Sequence, residues 1–414
     1  MNLAIIGTGY VGLTSGICFA SKGHTVKCID IDSKKVELIN SKISPIYEEG
    51  MAELLSKVIG NGTLKATLDA KTAINESEVV FICVGTPSLK DGSINLDYIK
   101  QAAKTIADNL NSYKVVVVKS TVVPRTTEDV VGKILKESGK EFGLCMNPEF
   151  LKEGSAIKDF LEGDRIVLGV GDKKTEEVMR KVYESFGQKI FVTTPRTAEM
   201  IKYANNSFLA TKISFANELG NLCKKLGIDT YTVMDGIGMD DRINRKFLNS
   251  GAGFGGSCFP KDVKAIVSKG LAENEPMILL KAVLKVNELQ PLKMVELLKK
   301  HINIGGKKIG ILGLAFKKGT DDLREAPSLI IIDELLKQKA EIIAYDPKAM
   351  NHAKKIFGEM ISYAKNINEV INSSDAVLIV TEWDEFKTLD FGKKIVIDGR
   401  RMNPKADSSE GICW

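Results

Sequence analysis

The sequence has no paired cysteines, little histidine and no long apolar run. Its seven cysteines include no C-x-x-C pair, which argues against a disulfide framework or a zinc site and favours reduced thiols. We therefore expect a cytoplasmic protein with no metal. Only three histidines occur, none beside a Gly- or Pro-rich cluster, so a histidine base is disfavoured. No segment reads as a membrane span.

The composition is that of an ordinary globular protein. Hydrophobic residues make up 44% of the 414 positions and charged residues 27%, enough for two or three domains with proper cores. The net charge of +5 is small for this length and gives no reason to expect a nucleic-acid partner. Charge alone cannot reveal or exclude a single phosphate-binding pocket.

Strand and helix patterns alternate over the first half, which predicts an α/β fold with a mostly parallel sheet. From about Thr197 the pattern is helical, and 276–301 reads as one long helix kinked at Pro291. Strands return at Lys307, and their pattern echoes that of the first half. The predicted domains are 1–196, 197–303 and 304–414, two doubly wound domains joined by a helical middle.

A nucleotide-binding turn opens the chain. Gly7-Thr-Gly9-Tyr-Val-Gly12 follows a strand and begins a helix, and Asp30 ends the next strand. In that context the glycines allow a tight turn, a close approach to a pyrophosphate and close helix packing. Asp30 would accept hydrogen bonds from a ribose 2′-hydroxyl, which favours NAD over NADP. The positive charge of Lys35 would tolerate a 2′-phosphate, so NADP stays an alternative.

Two further turns follow strands of the first half. They are Thr86-Pro87 and Ser120-Thr121, and ligands sit at the carboxyl ends of strands in such sheets. The alternative is that both are ordinary strand-to-loop turns.

One cysteine stands apart from the others. Gly251-Ala-Gly-Phe-Gly-Gly-Ser-Cys258 places small residues before a thiol, and Lys261 and Asp262 follow it closely. A thiolate beside a dinucleotide can add to an aldehyde, and loss of hydride from the adduct then gives a thioester that water cleaves. The pattern therefore predicts oxidation to the acid level. The alternative is a flexible loop with Cys258 as a small buried residue.

Two polar pairs have helical spacing. Glu149 and Glu153 would share a face if their segment were helical, and Lys202 and Asn206 are also four residues apart. Taken alone, each pair is better explained as a solvated polar helix face.

These pieces together resemble the UDP-glucose/GDP-mannose dehydrogenase family, whose order of motifs the chain follows from Met1 to about Arg401. The matching segments are GTGYVG, VGTP (84–87), KSTV (119–122), NPEFLKEG (147–154), FGGSCFPKD (254–262), AFKKGTDDLREAPS (315–328) and DGRR (398–401). The resemblance implies two Rossmann-like domains joined by a long connecting helix, and a homodimer formed through the middle. It also implies oxidation of the C6 hydroxymethyl of a nucleotide sugar by NAD.

The resemblance further assigns roles to single residues. Cys258 would form the thiohemiacetal and thioester. Lys202 would stabilise the alkoxide or take the first proton, and Asn206 would hold the same oxygen. Thr121 and Asp262 would place water, and Glu149 would assist hydrolysis. The implied NAD contacts are Gly7, Gly9, Tyr10, Val11, Gly12, Asp30, Lys35, Thr86, Pro87, Ser120, Thr121, Glu153 and Arg324. The implied substrate contacts are Glu149, Phe150, Leu151, Lys202, Asn206, Arg242, Phe247, Asn249, Gly255, Phe316, Lys317 and Arg400, with Arg242 supplied by a second subunit and Arg401 an alternative to Arg400.

Several alternatives stay open at this point. UDP-glucose is the expected substrate, because Ser257 stands where members acting on N-acetylated sugars carry histidine. GDP-mannose is harder to exclude, because members that act on it share the GGSC pattern. In the family's nucleotide-contacting loop, Asn249 replaces a common lysine or arginine, which leaves the preference for the nucleotide base open. Outside this chemistry, the alternatives are a two-electron hydroxyacid dehydrogenase, which lacks the thiol, and a catalytically dead NAD-binding regulator.

Overall fold

The computed structural model describes residues 1–402 and 406–414, which divide into two compact units. They are Met1–Asn205 and Asn206–Trp414, and the boundary lies inside one long helix, Pro195–Leu226. The three-domain division at 196 and 303 stays a prediction. Within the described residues no helix is both long and apolar enough to cross a membrane.

The first unit is built on a sheet whose central strands are continuous Val- and Ile-rich runs. Such runs suit strands covered on both faces, and all five residues of Lys114–Val118 are buried. The strands are β1 (Asn2–Ile6), β2 (Thr25–Ile29), β3 (Leu64–Thr67), β4 (Val79–Ile82), β5 (Lys114–Val118), β6 (Phe142–Met146), β7 (Arg165–Val170) and β8 (Lys189–Thr193). Their order is β3-β2-β1-β4-β5-β6-β7-β8, parallel except between β6 and β7. The order reverses between β1 and β4, the crevice where such sheets bind ligands.

Helices cover both faces of this sheet. They are α1 (Tyr10–Ser21), α2 (Ser33–Asn40), α3 (Met51–Gly60), α4 (Ala70–Asn75), α5 (Asp97–Asn109), α6 (Lys133–Lys136), α7 (Ala156–Glu162), α8 (Lys173–Tyr183) and α9 (Pro195–Leu226), with a π-helical stretch, Thr127–Gly132, leading into α6. Cys18, Cys28 and Cys83 are all buried in one apolar cluster of this unit.

The second unit contains a smaller sheet of the same kind. Its strands are β9 (Lys308–Leu312), β10 (Glu341–Tyr345), β11 (Ser362–Tyr363), β12 (Ala376–Ile379), β13 (Ile395–Asp398) and β14 (Ser408–Gly411). The order β11-β10-β9-β12-β13-β14 is wholly parallel and repeats the order of the first six strands of the larger sheet. The predicted pair of Rossmann-like folds is therefore confirmed.

The remaining helices belong to the second unit. They are α10 (Thr230–Gly238), α11 (Phe259–Ala272), α12 (Ile278–Leu289), α13 (Leu292–His301), α14 (Pro327–Lys337), α15 (Met350–Phe357) and α16 (Ile367–Ser373). The prediction of a single kinked helix over 276–301 is wrong, since α12 and α13 are separate helices. Met277 has a left-handed φ of +50° just before α12, and Pro291, which has no N–H to donate, lies in the break between the two.

The segment 147–154 is not helical, so Glu149 and Glu153 do not share a helix face. Pro148 disfavours helical backbone at the residue before it. The Asn147 side chain donates to the Val167 carbonyl oxygen at 2.9 Å, and the Leu151 N–H donates to the Glu149 carboxylate at 2.6 Å. These contacts to side chains replace the backbone ladder that a helix would need.

Candidate active site

The glycines of the first turn bring backbone segments into close contact. A Cβ on Gly12 would lie 1.9 Å from the Gly7 carbonyl oxygen, and one on Gly7, where φ is +95°, would lie 2.7 Å from the Cys83 carbonyl oxygen. A Cβ on Gly9 would meet no atom within 4 Å. The space beside Gly9 is thus open where α1 begins with Tyr10 and Val11, and free N–H groups at a helix start favour a phosphate.

Asp30 lies at the end of β2, beside the same turn. Its carboxylate accepts hydrogen bonds from the Thr8 N–H at 2.8 Å, the Thr8 hydroxyl at 2.5 Å and the Asp32 N–H at 3.0 Å. Burial alone would raise the pKa of Asp30, but these donors and the charge of Lys35 outweigh it and lower the pKa. An ionised carboxylate here suits a ribose diol, so this turn fits a dinucleotide.

The loops after β4 and β5 lie at neighbouring strand ends. The Ser120 hydroxyl donates to the Val84 carbonyl oxygen at 2.7 Å, which ties the two loops together. Thr86 and Ser120 are buried, and Thr121 is half-buried. The structure therefore places Thr86-Pro87 and Ser120-Thr121 at the carboxyl edge of the sheet, as predicted.

Lys202 and Glu149 form a buried ion pair in the first unit. The Lys202 Nζ lies 2.8 Å from the Glu149 Oε1, and the two side chains are only 3% and 6% exposed. Burial would raise the pKa of Glu149, but the Lys202 ammonium outweighs burial and lowers it. The pair can therefore hold a positive charge beside an ionised carboxylate away from bulk water. It brings together two residues that lie 53 positions apart.

Phe150 lies close to two cations in the same region. The Lys202 Nζ lies 5.5 Å and the Arg165 guanidinium carbon 4.0 Å from its ring centroid, both within reach of the ring's negative face. Leu151 is half-buried against the core of the first unit.

Glu48 is a residue of this region that the sequence did not reveal. Its buried carboxylate accepts from the N–H groups of Gly154 at 2.9 Å and Ala156 at 2.6 Å, and the Tyr10 hydroxyl also donates to it. It thereby joins the start of α1 to the segment that carries Glu149 and Glu153. Because its partners lie 38, 106 and 108 positions away, no local pattern could have indicated them.

Glu199 is a second residue that no sequence pattern indicated. It is fully buried on α9, and its carboxylate accepts from the N–H groups of Arg125 at 2.6 Å and Thr127 at 2.7 Å. Arg125 has a left-handed φ of +86°, so Glu199 holds the turn that follows Thr121. Burial raises the pKa of Glu199 to about 7, although the donors from Thr127 and Arg125 act to lower it.

In the second unit, Cys258 stands at the start of α11. It is half-buried, whereas the other six cysteines are buried. Its carbonyl oxygen accepts the N–H of Asp262 at 2.8 Å, which closes the first helical turn, and Pro260 occupies that turn. The thiol therefore lies at a helix N-terminus, where the dipole favours negative charge on a side chain.

Asp262 is 1% exposed and accepts hydrogen bonds on both carboxylate oxygens. The Asn206 amide donates to one at 2.6 Å and the Lys261 ammonium lies 2.6 Å from the other. Asn206 lies on α9 one turn after Lys202, so the spacing seen in the sequence is helical spacing. Asn206 and Asp262 are in direct contact one turn from the thiol.

The loop that precedes the thiol packs on the segment after β9. A Cβ on Gly255 would lie 2.4 Å from the Glu325 carbonyl oxygen and 3.0 Å from the Phe316 Cβ. Arg400 reaches the same place, since its guanidinium donates to the carbonyl oxygens of Gly253 at 3.2 Å and Phe316 at 3.4 Å. The structure thus brings Gly255, Phe316 and Arg400 together.

Arg401 points elsewhere. Its guanidinium makes two hydrogen bonds with the Asp229 carboxylate, at 2.6 and 2.9 Å, and lies 4.2 Å from the Tyr231 ring centroid. Arg401 lowers the pKa of Asp229 below its usual range. A bidentate pair stacked on a ring is a structural anchor. Arg400 is therefore better placed than Arg401 to contact a substrate.

The other residues named for the substrate, and Arg324, which was named for NAD, are spread over two stretches of the second unit. Lys317 lies 5.5 Å from the Phe316 ring centroid, and Arg324 makes a forked contact with Asp322. Between α10 and α11, Asn249 accepts from Arg245 and the Phe247 ring lies 6.3 Å from that of Phe259. The Arg242 side chain is 88% exposed and pairs with Asp240.

A dinucleotide turn in one unit and a thiol at a helix start in the other define a class of protein, the dinucleotide-dependent dehydrogenases with two Rossmann-like folds. More specifically, the chain belongs to the UDP-glucose/GDP-mannose dehydrogenase family. Residues 1–187 match the family's NAD binding domain, 196–289 its central domain and 310–404 its UDP binding domain. The predicted use of NAD and of a nucleotide-sugar substrate is thereby confirmed.

Individual relatives agree with this assignment. The chain is 45% identical to a UDP-glucose 6-dehydrogenase of Bacillus subtilis (strain 168) over 94% of its own length and 89% of the relative's. It is 43% identical to one of Haloferax volcanii over 97% of both chains. A solved structure of a UDP-glucose dehydrogenase from Pyrobaculum islandicum superposes with a TM-score of 0.98 at 40% identity, covering 100% of this chain and 97% of that one.

Replacing Glu199 with glutamine should change how stability depends on pH. A carboxyl whose pKa is raised from 4.5 to about 7 in the folded state stabilises the fold fully below pH 4.5 and loses that contribution as pH rises to about 7. The native protein should therefore lose about 3 kcal/mol relative to Glu199→Gln over this range, and nothing more above it. Urea unfolding followed by circular dichroism from pH 5 to pH 8 measures the difference.

The matched control is Glu177→Gln, which removes an exposed carboxylate from α8. A stability difference between the native protein and Glu199→Gln that stays constant from pH 5 to pH 8 would contradict the raised pKa.

Proposed function

We propose that this chain is a UDP-glucose 6-dehydrogenase that oxidises the C6 hydroxymethyl of UDP-glucose to a carboxylate, giving UDP-glucuronate. The balanced reaction consumes two molecules of NAD and one water, and NAD, when bound, accepts one hydride in each oxidation. The observation that carries the proposal is the half-buried Cys258 at the start of α11, one turn from the buried Asn206–Asp262 pair. A two-electron alcohol oxidation would not need such a thiol.

In the first oxidation, Lys202 acts at the C6 oxygen. The hydroxyl loses its proton as the carbon loses hydride, and the positive charge of Lys202 stabilises the developing alkoxide. Glu149 accepts from the Lys202 ammonium at 2.8 Å and so fixes its direction, and the Glu149 carboxylate takes up the proton from Lys202 as Lys202 takes the hydroxyl proton. The Asn206 amide, held by Asp262, adds a second hydrogen-bond donor to the same oxygen.

In the second oxidation, the Cys258 sulfur adds to the aldehyde carbon. The adduct is a tetrahedral thiohemiacetal, which can expel hydride where a planar aldehyde cannot. A thioester remains on Cys258. Lys202 and Asn206 again stabilise charge on the oxygen, so the same two donors serve both oxidations.

Water then attacks the thioester and releases the carboxylate and the thiol. Asp262 and Thr121 position this water, and Glu149 takes its proton. Glu149 is ionised beside the Lys202 ammonium, so its carboxylate has lone pairs that can receive this proton.

The nucleotide diphosphate binds near Arg400 in the second unit. Three observations support this: the Arg400 guanidinium lies between the Gly253 and Phe316 carbonyl groups, Gly255 leaves no side chain in the way, and residues 310–404 match the UDP binding domain. Lys317 adds a second cation from the same segment.

The sugar preference can be tested directly. With NAD present, UDP-glucose should give two NADH per sugar, with kcat/KM roughly a hundredfold above that for GDP-mannose or UDP-N-acetylglucosamine. Absorbance of NADH and mass spectrometry of the product measure both quantities. A preference for GDP-mannose would overturn the substrate assignment. Binding of NAD without turnover of any sugar would indicate a dead regulator.

Substituting the thiol tests the covalent step. Cys258→Ser should slow release of free acid roughly a thousandfold, because a hydroxyl adds to the aldehyde and leaves from the acyl group less readily. Cys223→Ser, at the least buried of the other cysteines, is the control. If Cys258→Ser kept the native rate and two NADH per sugar, the covalent mechanism would be wrong.

We also propose a homodimer formed through α9. Phe208, Phe215 and Leu222 recur every seven residues on this helix and are 64%, 46% and 52% exposed. Large side chains in one exposed stripe indicate a surface covered by a partner. The exposed Arg242 follows α10, and the family resemblance makes it the residue that enters the active site of the second subunit.

A charge on this stripe should separate the subunits. Phe215→Glu should give a monomer in size-exclusion chromatography with light scattering, because burying an unpaired carboxylate against apolar side chains is costly. The loss of the partner's Arg242 should lower activity in parallel. Met360→Glu, at another exposed apolar residue, is the control. A native protein that is itself monomeric and active would refute the dimer.

A further inference from the structure

The loop that leads to the thiol is buried but has no regular secondary structure. Residues 251–256 are all buried, and helix α11 begins only at Phe259. Buried backbone groups need hydrogen-bond partners, and a loop outside helices and sheets must find them in side chains or in other loops. The partners of this loop therefore decide where its chain runs.

Three side-chain amides of the second unit supply many of those partners. Asn217 on α9 accepts the Gly251 N–H at 2.8 Å, and Gln290 donates to the Gly251 carbonyl oxygen at 2.9 Å. Asn287 on α12 makes two bonds to one residue, accepting the Phe254 N–H at 2.8 Å and donating to the Phe254 carbonyl oxygen at 2.9 Å. An amide is the side chain that can satisfy a donor and an acceptor of one residue at once.

Phe254 is also fixed through its ring. It is 6% exposed and packs with Val263 and Val267 of α11, and its ring meets that of Phe259 edge to face at 5.9 Å. Only Gly255, Gly256, Ser257 and Cys258 lie between these two fixed aromatic residues. A displacement of the Phe254 backbone must therefore be absorbed within the four residues that end at the thiol.

We infer that Asn287 is a positioning residue for Cys258, acting through the backbone of Phe254. The inference rests on the proposed role of Cys258 and deepens it, since the thiol must meet the C6 carbon from a fixed direction. A near-attack geometry needs the sulfur held to within a fraction of an ångström. Rigid support of the glycine-rich loop supplies that, while its missing side chains leave room for substrate.

The close fit at Gly253 supports the same contact from the other side. Its φ is +102°, and a Cβ there would lie 2.9 Å from the Asn287 Oδ1. The loop backbone thus passes directly over the amide, and a methyl group at Gly253 would push against it.

Asn287→Asp is the sharpest test, because the carboxylate has the shape of the amide. It still accepts the Phe254 N–H but cannot donate to the Phe254 carbonyl oxygen, which it repels. In the full chain without ligands, amide hydrogen exchange of residues 251–258 should become at least tenfold faster. With saturating UDP-glucose, kcat should fall at least tenfold while the KM for NAD stays within twofold. Glu288→Gln, the exposed neighbour on α12, should change neither.

Gly253→Ala is the second variant, and it should reproduce both effects from the loop side should Asn287→Asp fold poorly. Unchanged exchange in both variants would overturn the inference. So would faster exchange with native kcat, which would show that the loop can move without displacing the thiol. Failure of the proposed function is separate, because it would appear as full activity of Cys258→Ser, whereas the exchange measurement needs no substrate.

Discussion

The chemistry proposed for the first unit depends on one buried ion pair. Lys202 and Glu149 meet at 2.8 Å with almost no exposed surface. Two charges removed from water are tolerated only if they satisfy each other and their remaining hydrogen-bonding capacity, and here the Leu151 N–H takes up the second carboxylate oxygen. This requirement accounts for the irregular backbone after β6, because the carboxylate must face a helix more than 50 positions later in the chain.

The second unit meets a different constraint. It must fix the position of the Cys258 thiol while leaving open space beside the sulfur. Small residues before Cys258 leave space, but a glycine-rich chain has large conformational entropy and few side-chain contacts of its own. Amides on neighbouring helices, a carbonyl group of Arg324 and the guanidinium of Arg400 supply the missing contacts. Arg400 thereby belongs both to the support of the loop and to the proposed diphosphate site.

The sequence was informative where chemistry is local. The turn at Gly7–Gly12, the acid at Asp30 and the thiol at Cys258 each occupy a short segment whose residue types have few other uses, and helical spacing correctly placed Lys202 and Asn206 on one helix. Glu48, Glu199 and Asn287 could not be found this way, since their partners lie between 33 and 108 positions away. After Pro148 and at Pro291 the local effect of proline on the backbone interrupts the helices that side-chain spacing alone had indicated.

The two sheets share a strand order, and each has an aspartate at the end of its second strand. The two aspartates differ in how many hydrogen bonds they already accept, and this difference distinguishes the two nucleotide-binding folds. Asp346 ends β10 as Asp30 ends β2, yet it is 1% exposed. It accepts from the Leu314, Ala315, Lys348 and Ala349 N–H groups and from the Trp383 indole, at 2.7 to 3.0 Å. A carboxylate offers about four lone-pair directions, so these five donors leave none for a ribose hydroxyl. Asp30, with fewer donors and partial exposure, keeps that capacity. The same fold therefore accommodates NAD in one unit, whereas the nucleotide site that we propose in the other lies outside the β10 turn, beside Arg400.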